Sequence, residues 1–335
     1  MKKYEKIKRV VIWGNFSGSF RYIHGAYFKA FEKLGYETYW INDITKLDAD
    51  ISGTLFLVED QDKNGLPIRE DCYYILHHIN NAAFLAVGAK IVNLCNFLYI
   101  PCNQGISWNY PLDPNSGHGS APMHNVEKIK EYVFYDRKNL AIYQPWATSV
   151  LPEDIGDVVP FNKNISEINF VGSIWSENIN QTIPFLQNCH SKKIKINLSG
   201  WLQYPQLLNN FPLVKHVADC GGATEEMARD LVQKSLIYPD IRGDHHTNLG
   251  LIPCRIFKNI SYGCIPITNS KSVSEFFENL IPYSNNTADF IDISMDYLNN
   301  RDIEKDKYLV DKVKKNHTYI NRVNDLMEYI KTLYD

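Results

Sequence analysis

Residues 169–173 read Asn169-Phe170-Val171-Gly172-Ser173, a short apolar run that stops at a glycine and a small polar residue. The chain opens the same way. Arg9-Val10-Val11-Ile12-Trp13 runs into Gly14-Asn15-Phe16-Ser17-Gly18. A buried strand that ends on glycine before a helix lets backbone come close to a ligand at the carboxyl end of a sheet. Its recurrence midway along the chain predicts an α/β protein of two Rossmann-like lobes facing a cleft.

The intervening sequence supports that reading. After Gly18 a helix is predicted, with Tyr27, Phe28, Phe31 and Leu34 forming an apolar stripe and Gly35 ending it. Residues 39–41 and 54–58 read as strands, residues 72–87 as a helix holding His77 and His78, and residues 89–94 as a further strand. Residues 99–124 are rich in Pro, Gly, Asn and Ser, a loop long enough to suggest function. The lobe boundary falls near residue 162. The second lobe is expected to use strands at 194–198, 236–238 and 265–267, with helices at 224–233 and 255–261.

Composition fits this design. The chain has 335 residues, enough for two domains, and 44% are hydrophobic, enough for a core in each. The net charge of −3 and scattered basic residues argue against extended nucleic-acid binding. The apolar run after the basic N-terminus is too short for a signal peptide or membrane span, although a peripheral membrane contact there stays open. Seven widely spaced cysteines fit free thiols in a reducing compartment, so a cytoplasmic location is expected. The oligomeric state is left between monomer and homodimer.

Polar chemistry concentrates at residues 238–270. Arg242, His245, His246 and Arg255 lie between a predicted strand and a helix, and Thr268-Asn269-Ser270 sits where the next helix would begin. A helix start favours anions, and a guanidinium matches two phosphate oxygens, so a diphosphate is the natural ligand. The competing reading makes Arg242 and Arg255 ordinary ion-pair partners of Asp240, Asp244 or Glu275. Adjacent histidines without an acidic or Cys partner at ligand spacing do not predict a metal.

Residues 253–270 resemble the C-terminal-lobe motif of two-lobed (GT-B) glycosyltransferases, especially the CgeB-like members of the glycosyl transferases group 1 superfamily. The resemblance lies in Arg255-Ile256-Phe257 on a helix, then Gly263, an apolar strand with Pro266, and a small polar turn. It implies a nucleotide-diphosphate sugar of UDP or GDP type as donor substrate, a carbohydrate or other hydroxyl acceptor, no permanent cofactor and no required metal. Arg255 and Arg242 would then face the diphosphate, with His245 and His246 nearby, and the amides of Thr268, Asn269 and Ser270 would cap it. Gly172 and Ser173 would line the donor side. Many such families carry a Glu for the ribose just after the aromatic residue, where this chain has Lys258. The implied domains are an acceptor lobe over residues 1–162, a donor lobe over 163–312, and a terminal helix over 313–335 that crosses back to the first lobe.

In such a fold the acceptor lies beside the loop after the first strand, which makes Gly14 and Ser17 candidate contacts. His24, Glu59 and Asp60 are rival general bases, because imidazole or carboxylate can take a proton from a sugar hydroxyl. The sequence leaves open retention or inversion. Trp108 is the favoured sugar-stacking aromatic. Lys258 also keeps alive a catalytically degenerate lobe that binds a glycan or nucleotide sugar. A nucleotide-dependent oxidoreductase is disfavoured, since Gly14, Gly18 and Gly25 do not make the dinucleotide fingerprint.

Overall fold

The computed structural model describes residues 3–14, 18–47, 50–59, 64–77, 82–96, 98–101, 120–122, 133–134, 141–218 and 224–335. The chain divides into two compact units, residues 1–149 with 318–335, and residues 150–317.

The first unit is built from β1 (Arg9–Trp13), α1 (Gly18–Lys33), β2 (Thr38–Ile41), β3 (Thr54–Glu59), β4 (Tyr73–His77), α2 (Ala82–Ala86), β5 (Lys90–Cys95), β6 (Tyr99–Pro101), β7 (Ser120–Pro122), β8 (Val133–Phe134) and β9 (Ala141–Tyr143). Its main sheet has the order β2-β1-β3-β4-β5-β9-β8. Every pairing is parallel except β8 with β9. Leu55, Phe56, Leu57 and Val58 are all fully buried, as expected of a strand covered on both faces. Helix α1 buries Tyr27, Ala30 and Phe31. It ends where Gly35 takes a φ of 82° and Tyr36 N donates to Phe31 O.

One sequence expectation is corrected here. The predicted helix over residues 72–87 is a buried strand, β4, followed by the short α2. Tyr73, Tyr74 and Ile75 are aromatic and β-branched residues that favour a pleated, packed surface, and Tyr74 stacks on Phe56 of β3 with ring centroids 5.4 Å apart.

The second unit contains β10 (Glu167–Val171), α3 (Ile179–Ser191), β11 (Lys195–Ser199), β12 (Val214–Ala218), α4 (Glu225–Gln233), β13 (Pro239–Asp240), α5 (Asp244–Asn248), α6 (Cys254–Ser261), β14 (Ile267–Thr268), α7 (Lys271–Phe276), α8 (Phe290–Asn299) and α9 (Ile303–Asn316). Strands β10, β11 and β12 pair in parallel, as do β13 and β14. Asn169 N donates to Ser235 Oγ, and Leu236 N to Glu167 O, so the segment entering β13 runs along β10. The expected strand at 236–238 therefore sits slightly later, at Pro239–Asp240. Two cores flank this layer. One is centred on Phe257, Phe277 and Leu309, the other on Phe170, Phe185 and Phe290.

The last helix, α10 (Tyr319–Tyr334), belongs to the first unit. Thr318 caps it, with Asn321 closing a reciprocal capping box. Tyr319 packs edge-on to Tyr27 of α1 at 4.7 Å. The fully buried Arg322 donates to the carbonyls of Pro145 and Trp146, while Gln144 joins Arg322 O to the Tyr27 hydroxyl.

Candidate functional site

Within the second unit, three loops at the carboxyl ends of β10, β13 and β14 carry the polar residues singled out above. The centre is Asp240, the last residue of β13, with no exposed surface. Its Oδ1 accepts from Arg242 Nε at 2.8 Å and lies 3.8 Å from Arg255 Nη1. Its Oδ2 accepts from Thr268 Oγ1 at 3.0 Å. Asp240 was thus correctly named as an ion-pair partner, but it serves two guanidiniums at once. Asp244 instead accepts from Gln181, and Glu275 pairs with Lys271. The side chains of Arg242 and Arg255 keep 15% and 20% of their surface exposed, so both can meet a ligand.

Arg255 stands in the first turn of α6 and lies across Gly172. A Cβ at residue 172 would fall 1.9 Å from Arg255 Nη2. The guanidinium also sits over the Phe170 ring at 5.3 Å. Gly172 is in turn covered by Gly200, whose Cβ would meet Gly172 O at 2.2 Å. Glycines after β10 and β11 thereby make room for Arg255, and Ser173 follows directly in the same turn.

The turn after β14 behaves differently from expectation. Thr268 N donates to Pro282 O, Asn269 N to Asp240 O, and Ser270 N to Thr268 Oγ1. All three amides expected to cap a phosphate already have protein acceptors, because β14 pairs on both sides and the turn closes on itself. The Asn269 side chain holds the Arg242 loop in place. Asn269 binds both the N–H and the C=O of Arg242, and Ser270 Oγ is buried without a hydrogen-bond partner among the described residues.

A second cluster joins α5 to the loop after β10. His246 Nδ1 lies 3.0 Å from Glu177 Oε2, and His246 N donates to Glu177 Oε1 at 3.3 Å. Burial alone would raise the Glu177 carboxyl, but His246 and the charge of Arg242 outweigh it and hold it below the usual range. Burial, then the neighbouring His246, pushes the adjacent His245 down. Sequence reasoning missed Glu177, whose only signal was its place five residues beyond Gly172.

Lys258 points to a third partner. It pairs with Glu225 Oε2 at 3.3 Å, and Tyr262 donates its hydroxyl to the other oxygen of that carboxylate. The carboxylate beside Lys258 comes from the first turn of α4, where Thr224 caps the helix.

In the first unit, Gly14 follows β1 with a φ of 131°. His24 lies on α1 but is only 1% exposed, with its ring 6.3 Å from that of His77. Burial pushes its imidazole down to about 4, leaving it neutral and weakly basic at ordinary pH. Glu59 ends β3 opposite His77 of β4. The side chain of Glu59, and Ser17, Asp60, His78 and Trp108 altogether, lie outside the described residues. Among the described residues no group of three His, Cys, Asp or Glu is arranged to hold a metal, and no helix is long and apolar enough to cross a membrane.

No protein-family model and no curated protein sequence matches the chain. Solved structures do. AviGT4, a glycosyltransferase involved in avilamycin A biosynthesis, is 10% identical with a TM-score of 0.51, the alignment covering 97% of both chains. The T4 phage β-glucosyltransferase is 12% identical with a TM-score of 0.49, covering 98% of this chain and 99% of the other. The fold is that of the two-Rossmann-lobe GT-B glycosyltransferases.

Proposed function

We propose that the chain is a glycosyltransferase that moves a sugar from a nucleotide-diphosphate donor of UDP or GDP type to a hydroxyl acceptor. The second unit is the donor lobe and the first the acceptor lobe. The observation that carries this reading is the pairing of Arg242 and Arg255 on the single buried carboxylate of Asp240. One carboxylate fixes both guanidiniums yet neutralises only one of them. Both guanidiniums lie at the carboxyl ends of parallel strands, where open α/β sheets hold ligands.

Glycosyl transfer breaks the bond between the sugar carbon and a phosphate oxygen, and negative charge grows on the departing diphosphate. Guanidiniums already fixed in place stabilise that charge without reorganising. They do the work a metal ion would do, so activity is expected to persist after chelation. UDP-glucose is the substrate named for a T4 phage β-glucosyltransferase complex of similar fold; for this chain the class of donor is proposed on the arginine pair. The acceptor's proton goes to a base of the first unit. Glu59 and Asp60 are better suited than His24, whose burial leaves it weakly basic.

The test is a thermal-shift screen with UDP, GDP, dTDP, CMP and their common sugars, followed by donor hydrolysis and transfer by the wild type and Arg255→Ala. Stabilisation by one nucleotide, with turnover lost on a folded Arg255→Ala background, supports the reading. Equal turnover by both proteins would overturn the assignment of Arg255. Binding without turnover across donors and acceptors would instead favour a degenerate binding lobe, the reading that Lys258 in place of an acid keeps alive.

A further inference from the structure

Among the described tryptophans, Trp13 and Trp146 are buried and Trp40 and Trp175 half-buried, whereas Trp201 keeps 48% of its surface exposed. Local structure explains the difference. Trp201 follows β11 and Gly200, and the next residue, Leu202, bridges to Ile174 and enters the core around Phe170 and Phe185. Neighbours on an extended segment face opposite ways, so burying Leu202 turns Trp201 outward.

The main chain around Trp201 is nonetheless fixed. Trp201 O accepts from Ile174 N at 2.9 Å, and Gly200 O meets His216 Nε2 at 2.8 Å. An exposed indole on a fixed main chain gives up little freedom when a flat partner covers it. It also stands beside the arginine site. Gly172 N donates to Ser199 O and Ile174 N to Trp201 O, so the turn that receives Arg255 runs alongside Ser199 to Trp201, one strand spacing or about 4.8 Å away. In a nucleotide-binding α/β sheet the phosphates lie at the turn after the first strand, and the nucleoside reaches over the end of the second. Strands β10 and β11 hold those two places here.

We propose that Trp201 is the platform on which the base of the donor nucleotide stacks. This rests on the proposed donor site and adds to it the residue that distinguishes a nucleotide from a bare diphosphate. Arg242 and Arg255 meet the charge that all such donors share. Trp201 meets the π-face of the base, which adds affinity without choosing between uracil and guanine.

The experiment is isothermal titration calorimetry with UDP, GDP and inorganic pyrophosphate on the wild type, Trp201→Ala, Trp201→Phe and Arg255→Ala. Since the residue is exposed, its removal should leave the melting temperature nearly unchanged. Trp201→Ala should weaken nucleotide binding by about tenfold to a hundredfold and leave pyrophosphate affinity as in the wild type. Trp201→Phe keeps a ring and should recover most of the loss. Arg255→Ala should weaken nucleotide and pyrophosphate alike. Nucleotide, but not pyrophosphate, should also quench the tryptophan fluorescence of the wild type, and Trp201→Phe should abolish that quench. Unchanged nucleotide affinity in Trp201→Ala, equal losses for nucleotide and pyrophosphate, or a quench that persists in Trp201→Phe would overturn this inference and leave the donor site standing. No binding of any of the three ligands to the wild type would overturn both.

Discussion

Asn269 grips the backbone of Arg242 at both of its polar groups: its Oδ1 accepts from Arg242 N at 2.8 Å and its Nδ2 donates to Arg242 O at 2.7 Å. A side-chain amide here continues the ladder that β13 and β14 begin, and it sets where the Arg242 side chain leaves the sheet. Asn269→Ala leaves a partly buried N–H and C=O unpaired, at a cost of about 1–3 kcal/mol. The melting temperature should fall, and nucleotide affinity with it. Asn269→Asp keeps the acceptor but loses the donor, so it should fall between the two. A melting curve unchanged in Asn269→Ala would show that the clamp does not hold the loop.

Gly172 and Arg255 should behave as one unit. A methyl group at residue 172 meets the far end of a flexible side chain, which can swing aside without unfolding the protein. Residue 172 has a φ of 157°, which an L side chain rarely adopts, so Gly172→Ala is expected to cost about 1–3 kcal/mol of stability as well as to move the guanidinium from its place over Phe170 and beside Asp240. Transfer activity should drop by about 10²-fold, the order seen when one charge-stabilising group is removed. Adding Arg255→Ala should cost little more, because both changes remove the same contact. Additive losses in this double-mutant cycle would separate the two residues.

Burial of His24 gives the first unit a predictable acid sensitivity. Its folded value of about 4 lies below the unfolded value of 6.5, so the unfolded chain binds more protons between these limits. Stability from the neutral ring is fully present above about pH 6.5 and is lost as pH falls toward 4. The full effect is on the order of 3 kcal/mol. His24→Gln should remove that part of the slope in chemical denaturation between pH 7 and 4.5. An unchanged slope would assign the acid sensitivity to other groups.

Strand-then-glycine grammar announced both units, because a continuous apolar run and a following glycine are local signals. Arg242, Arg255 and Asn269 were also legible, since they sit in one stretch of sequence. What sequence could not show was contact made across the fold. Glu177 meets His246 from 69 residues away, and the amides after β14 are consumed by Pro282 and Asp240. The misread strand β4 has the same origin. Its apolar run is too short for periodicity to separate strand from helix, and its pairing with β3 and β5 decides the matter.

Lys258 and Glu225 present a charge exchange that can be reversed. Lys258 is 16% exposed and Glu225 30%, and Tyr262 donates to the same carboxylate, so the pair is more than a surface contact. Lys258→Glu would restore an acid on α6 but set two carboxylates against each other beneath Tyr262. The burial of Tyr262 and the nearby Glu225 already raise its hydroxyl well above its ordinary value, and a second negative charge adds to that strain. A loss of about 1–3 kcal/mol is expected for the single change, since one buried polar group loses its partner. Glu225→Lys in the same chain should recover most of it by recreating the pair with its signs exchanged. Nucleotide affinity measured on both variants then tells whether the acid must stand on α4. Recovery of stability without recovery of affinity would place Glu225, rather than the pair as such, at the ligand.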